Sequence, residues 1–320
     1  MATGKIIVLS HEGDAHLKYV TDHLQAEEVL LINPTDMLDG DTIDFMLKGD
    51  VPQVFYKDEL LSDIKSIWIR RPTILTSRSL PVRGRHVAYV RSAAERHLNM
   101  LYVAFPNALW LSNMAALKAA DVKLWQLQLA AKMGFNVPDT LFASTPRRAK
   151  AFVDSHGICI AKTQTQKLPI GSQIFTKILR STDKLDYTNL RLDPYTFQQY
   201  IEPKAEWRIT VVGDQVFAAE VGGEGTDGLA SPYRDWRVSH MNKTFTAKAV
   251  DPPKDFIQQC IRFVKALELE FGALDFIIDK DNKIWFLEIN PNGQWAFVER
   301  KTGQPIGKAI ADKLIAGKVR

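Results

Sequence analysis

The chain has 320 residues, 46% hydrophobic and 24% charged, the composition of a globular protein with material for about two domains. No apolar run reaches the ~18 residues of a membrane helix, the opening MATGKIIVLSHEGD has no signal-peptide architecture, and two cysteines exclude a disulfide framework and a Cys-rich zinc site. Cys159 and Cys260 sit in apolar runs, so buried free thiols in a cytoplasmic protein are expected.

Residues 5–10 (KIIVLS), 29–33 (VLLIN) and 64–70 (IKSIWIR) are β-branched runs that predict strands, and Leu17, Val20 and Leu24 keep helical spacing between the first two. This order predicts a small α/β layer domain over residues 1–112. Net charge is only +4, yet residues 65–97 carry eight Lys/Arg against one acid, a local excess of +7 that points to an anionic partner. Val87, Val90 and Leu98 mark a helix in that segment.

A second unit begins at Asn113. Residues 114–134 are rich in helix formers and predict one helix, stopped by Gly134 and Pro138. Residues 157–164 predict a strand, and 163–176 a polar loop containing Pro169 and Gly171. Residues 196–201 predict a strand, and 207–221 a hairpin turning at Gly213 and Asp214. A glycine-rich loop spans 222–236. Phe256, Cys260, Phe263, Val264, Leu267 and Phe271 trace one face of a helix stopped by Gly272, and residues 306–317 form a last helix.

The strongest chemical signal lies between these helices, in ALDFIIDKDNKIWFLEINPNG. A four-residue turn over 280–283 pairs Asp279 with Ile284, which sets Asp275 opposite Glu288, with Asn290 on the same face. Like charges directly opposite in a sheet repel, and these stand among Phe276, Ile277, Leu287 and Ile289. Something must offset that repulsion. Two carboxylates and an amide oxygen suit Mg²⁺, whereas a solvated face would pair the acids with Lys280 or Lys283. The pairing predicts that removing either acid leaves the fold intact or slightly more stable. Arg208 alternates in its strand with Ile209 and Val211, so as a buried charge it needs an anion, such as a phosphate or acyl-phosphate oxygen.

The ordered set of Lys123 before a helix, Lys162 at a strand end, Gln198 to Ile201, then Glu206, Arg208 and the D…ExN hairpin resembles the ATP-grasp superfamily. The resemblance implies an α/β (α+β) ATP-grasp fold, with a pre-ATP-grasp domain over 1–112, a central lobe over 113–198 and a C-terminal lobe with the metal site over 199–320. It implies Lys123 and Lys162 on the ATP phosphates, Gln198, Tyr200 and Ile201 bordering the adenine, and Glu206 on the ribose. Asp275, Glu288 and Asn290 would hold one or two Mg²⁺ ions, and Arg208, Lys162 and Asn290 would serve the chemistry, with loop 163–176 as a flap over the phosphates. No G-x-x-x-x-G-K-[ST] motif is present, which argues against a P-loop enzyme.

The continuation EINPNGQWAFVE, with IWIRRP in the first domain, resembles microviridin-type maturases among the graspetide synthetases. That resemblance implies a carboxylate activated as an acyl phosphate and captured by a side-chain hydroxyl or amine. The substrate would be a ribosomal precursor peptide with a leader and an acidic core. The basic segment, with Arg70, Arg71, Arg78, Arg83 and Arg85, is expected to receive the core, and the loop 222–236 is the other docking candidate. Neither a membrane nor a nucleic acid is an expected partner, and a homodimer is compatible with the sequence. Two other readings stand beside this one. A ligase could add free amino acids to a protein C-terminus or a small acid, as the ribosomal-protein glutamate ligases do. A nucleic-acid binder could use residues 65–97, but only Trp68 and Tyr89 offer stacking there and Asp275 and Glu288 stay unexplained.

Overall fold

The computed structural model describes residues 4–70, 82–84, 86–164, 176–184, 186–223 and 245–317. Most of the loops 163–176 and 222–236, together with Arg71, Arg78 and Arg85, lie outside the described residues.

The first domain is a parallel sheet in the order Val29–Ile32, Lys5–Leu9, Ile64–Ile69, Leu109–Leu111. Three of its strands match the sequence reading, while Leu109–Leu111 is too short to signal itself. The sequence reading also passed over an antiparallel sheet of Ile43–Lys48, Val51–Tyr56 and Glu59–Leu60, whose inward Ile43, Val54 and Tyr56 join the core.

The helix expected over 114–134 is two helices, Met114–Ala120 and Lys123–Lys132, separated at Asp121 and Val122. Asn113 caps the first, its side chain accepting from the Ala116 N–H. Both pack on the C-terminal sheet: Leu117, Leu127 and Ala130 share a core with Ile209, Phe276 and Phe286.

The central lobe is an antiparallel sheet in the order Lys177–Arg180, Ile158–Thr163, Tyr195–Gln199, Thr140–Ala143. Helix Pro146–His156 covers one face through a core of its own, with Ala149, Val153, Cys159, Ala161 and Phe197. By the two-residue period, Lys162, Thr196 and Gln198 lie on the opposite face.

The C-terminal sheet is antiparallel in the order Thr246–Ala249, Gln215–Gly222, Pro203–Val212, Phe271–Asp279, Ile284–Asn290. One face, with Ile209, Val211, Leu274, Phe276, Phe286 and Ile289, packs under helix Lys254–Ala266. That helix carries the expected stripe only as far as Val264. It stops at Glu268, which turns at φ 57°, so Phe271 and Gly272 belong to the next strand and Gly272 is not the stop. On the other face, Val212, Phe217, Phe271 and Ala273 lie under helices Ala296–Thr302 and Ile306–Ala316. Beyond the reach of those helices the same face turns charged, and there the site begins. Both cysteines are buried and free, and burial pushes the Cys159 thiol up to about 11.

Candidate active site

Asp275 does stand opposite Glu288, but by a different route from the one the sequence suggests. Ile278, not Asp279, pairs with Ile284, and the offset continues through Phe276 and Phe286. A bulge at Leu287 then restores the pairing, so Asp275 meets Glu288 and Ala273 meets Asn290. The bulge is what aims the acid. In an unbroken strand Phe286 and Glu288 would share a face, and the carboxylate would enter the phenylalanine core. With one extra residue, Phe286 and Ile289 stay in the core while Glu288 and Asn290 turn to the opposite face.

Arg208 completes a row across three strands, since it pairs in register with Asp275. Its Nη1 donates to both Asp275 oxygens, at 2.8 and 2.7 Å, and its Nη2 donates to the Gln294 carbonyl at 3.0 Å. Asp275 thus supplies an anion for the buried Arg208 from within the protein. Glu288 also has a protein cation: Lys123 Nζ lies 2.8 Å from its Oε2. Arg208 and Lys123 thus offset the repulsion that the sequence pattern assigned to a metal. The two acids respond differently. Burial raises the Asp275 carboxyl above its ordinary value despite Arg208, and the Glu288 charge adds to the rise. Burial acts the same way on Glu288, but Lys123, then Lys162 and Arg208, outweigh it and hold that carboxyl low.

Asn290 closes the row, and its side-chain oxygen accepts from the Asn292 N–H at 3.3 Å, shaping the turn that follows. Gly293 is required there, because a Cβ would come within 2.8 Å of both Arg208 Nη2 and the Ala273 Cβ.

Other expected residues are less direct. Gln198 is buried and its amide donates to Thr140 Oγ1 at 2.9 Å. The Tyr200 N–H donates to the Ile158 carbonyl at 3.3 Å, so the sheet uses that group. Ile201 is buried, and Glu206 shares the strand face of Arg208. Arg70, part of the basic segment, is 3% exposed. Its Nε lies 3.3 Å from Asp14, and its Nη1 donates to the Asn292 carbonyl at 2.9 Å. Asn292 Nδ2 donates back to the Arg70 carbonyl at 2.7 Å, and His16 accepts from the Trp295 N–H at 3.2 Å. Arg83 is exposed as expected.

Sequence reading missed Gln126. Wholly buried, it donates from Nε2 to the Ile289 carbonyl at 2.9 Å and accepts from the Ile289 N–H at 3.1 Å. A lone amide in a helix-rich segment carries no pattern to single it out.

Among the described residues no cluster of three His, Cys, Asp or Glu forms a metal cage. Two carboxylates and one amide oxygen fit a hard cation that takes its remaining ligands from phosphate and water. A carboxylate pair and an amide oxygen on one sheet face, held by the charges of two lysines, is an arrangement of ATP-dependent ligases of the ATP-grasp class. Residues 120–314 match the RimK-like ATP-grasp domain, and the chain belongs to that family. ATP-grasp ligases use ATP with Mg²⁺ and form ADP. The probable alpha-L-glutamate ligase of Vibrio atlanticus (strain LGP32) is 23% identical over 302 residues, covering 91% of this chain and 90% of its own. Among solved structures, the RiPP-associated ATP-grasp ligase of Chryseobacterium gregarium, in complex with ADP and a leader and core peptide, matches with a TM-score of 0.85. Its identity is 25% over 98% of this chain and 97% of that one. The macrocyclase MdnC of Microcystis aeruginosa MRC, bound with precursor peptide MdnA, matches with a TM-score of 0.83 at 24% identity, over 98% and 99%.

Proposed function

We propose that this ATP-grasp ligase installs ester or amide crosslinks between side chains of a ribosomally made precursor peptide. The observation that carries the reading is the row Arg208–Asp275–Glu288, flanked by Lys123 and Lys162, in a chain that aligns end to end with a ligase bound to a leader and core peptide. Asp275, Glu288 and Asn290 are the residues that would hold Mg²⁺, which when bound neutralises phosphate charge and favours in-line transfer to a substrate carboxylate. Lys162 and Lys123 add fixed positive charge beside the phosphates. Gln198, Tyr200, Ile201 and Glu206 border the adenosine, with the Tyr200 N–H left to the sheet. Arg208 is held rigidly by Asp275 and the Gln294 carbonyl, and its Nε has no partner among the described residues. That spare donor suits an oxygen of the acyl phosphate or of the tetrahedral species that a hydroxyl or amine forms from it. These groups act by position and charge, without a covalent enzyme intermediate. The peptide core must offer carboxylates, so an acidic core fits exposed cations such as Arg83.

The curated relative named above favours a second reading, ligation of free glutamate to a carboxylate. One experiment separates the two. The enzyme is incubated with ATP, Mg²⁺ and a short peptide, encoded beside its gene, that carries Ser, Thr or Lys together with Asp or Glu. Mass spectrometry should show the peptide losing one water per bond formed, with one ADP released each time. Peptide mass increasing by a glutamyl residue, or ADP release that depends on free amino acids alone, would establish the second reading instead.

A further inference from the structure

Among the described residues, Glu288 and Asn290 ride on Ile284–Asn290, the last strand of its sheet, so the sheet's own ladder holds them from one side only. The bulge at Leu287 loosens the pairing just before them. An edge strand with a bulge is a poor mount for groups that must stay in fixed geometry. Its outer backbone groups show how the problem is met. The Asn136 side chain donates to the Ile284 carbonyl at 2.9 Å, and the Phe286 N–H donates to the Asn136 carbonyl at 2.8 Å. Beyond the bulge the outward groups switch from even residues to odd, and the next pair belongs to Ile289. Gln126 takes both, as a neighbouring strand residue would, with its amide oxygen on the N–H and its amide nitrogen on the carbonyl.

The remaining Nε2 hydrogen goes to the Ala120 carbonyl at the end of the preceding helix, so every polar atom of this buried side chain has a partner. Lys123 lies three residues earlier on the same helix face and meets the Glu288 carboxylate. One helical turn therefore grips the carboxylate with Lys123 and, through Gln126, the backbone between Glu288 and Asn290. We propose that Gln126 is a positioning residue for the cation ligands: it replaces the missing neighbour strand and keeps Glu288 and Asn290 facing Asp275. This rests on reading Asp275, Glu288 and Asn290 as the ligands.

The test needs no peptide. Mn²⁺ binding in the presence of a non-hydrolysable ATP analogue is measured by electron paramagnetic resonance for wild type, Gln126→Leu and Glu288→Gln, alongside analogue affinity in EDTA. Gln126→Leu should weaken Mn²⁺ binding roughly tenfold, the scale of losing an outer partner of a metal ligand, with analogue affinity in EDTA within about twofold of wild type. A role confined to stability would lower the melting temperature and leave Mn²⁺ affinity unchanged, which would overturn the proposal. If Gln126→Leu does not fold, Gln126→Asn is read the same way, since its shorter side chain cannot span both groups of Ile289. Unchanged Mn²⁺ binding by Glu288→Gln would overturn the ligand reading and the proposal with it. Loss in Glu288→Gln with full binding in the Gln126 variants would overturn the proposal alone.

Discussion

Arg208 and Asp275 are a buried ion pair, with side chains 5% and 18% exposed, whereas the Lys123–Glu288 pair is partly solvated at 39% and 31%. That difference separates two substitutions that look alike in sequence. Asp275→Asn keeps the shape and removes a charge that burial and Glu288 oppose, which offsets the loss of the Arg208 contact. Glu288→Gln breaks a screened contact, a loss of about 1 kcal/mol or less. Both should abolish turnover, but urea denaturation without Mg²⁺ should show Glu288→Gln losing up to about 1 kcal/mol and Asp275→Asn near wild type or slightly more stable. Equal stability of the two variants would contradict the assigned pairing. The sequence expectation that removing either acid leaves the fold intact or slightly more stable came from counting two negative charges and no positive ones, and the Lys123 contact alters it for Glu288. The pattern exposed Asp275 and Glu288 because acids are conspicuous in an apolar hairpin. It could not reveal that Arg208, 67 residues away in sequence, lies directly alongside. Arg70 shows a related limit: a tally of charge along the chain does not tell which arginine is enclosed, and this one is surrounded by Asp14, His16 and Asn292.

At the level of elements, the metal hairpin shows how a right pairing can emerge from a wrong turn. The turn is one residue off the expected register and the bulge at Leu287 is one residue the other way, so the two cancel at Asp275. Alternation alone made the hairpin legible, because Phe276, Ile278 and Phe286 announce a strand pair. A bulge has no such signature, and its presence follows only from the need to keep Phe286 and Ile289 inside while Glu288 faces out. The turn after the hairpin is as constrained as the strands. Gly293 lies against Arg208 Nη2, and Arg208 reaches past it to the Gln294 carbonyl. Gly293→Ala should therefore displace the guanidinium. The expected stability loss is about 1–3 kcal/mol, typical of overpacking, together with a fall in kcat and little change in ATP KM. Activity at the wild-type level would show that Arg208 can shift without cost to the chemistry. The central sheet was only half legible: residues 157–164 and 196–201 read as strands, whereas Thr140–Ala143 and Lys177–Arg180 are four residues each and were passed over.

Across the whole molecule, the division into lobes does not follow the division into cores. The first domain and the C-terminal sheet are fused: Ile6, Val8 and Trp68 share a core with Val212, Trp295 and Ile310. Gly307 lets the helix Ile306–Ala316 touch Leu17–Thr21, because a Cβ there would collide with the Tyr19 carbonyl oxygen. The polar centre of this junction is Asp14, which ties Arg70 and His16 to the turn carrying Asn292 and Trp295. The Trp295 N–H donates to His16 Nε2, which leaves Nδ1 to donate to Asp14 Oδ1 at 2.8 Å. Burial works to raise the Asp14 carboxyl, but the His16 ring and N–H, with the Arg70 guanidinium, outweigh it and hold it well below the usual range. A carboxyl lowered by folding stabilises the native state fully above its unfolded value of about 3.9. The contribution then fades as pH falls toward the lower folded value. Asp14→Asn mimics the protonated acid in shape and removes this contribution at every pH. At pH 7 the variant should be less stable by about 3 kcal/mol, the scale for breaking a buried charge pair. Below pH ~4 the unfolded chain takes up a proton at this carboxyl while the folded one stays ionised, so the gap between the two should narrow there. Urea midpoints for both proteins across that range measure it directly. A gap that stays constant down to pH 3 would mean that folding does not lower the Asp14 carboxyl, and no gap at pH 7 would mean that Asp14 acts by shape and not by charge.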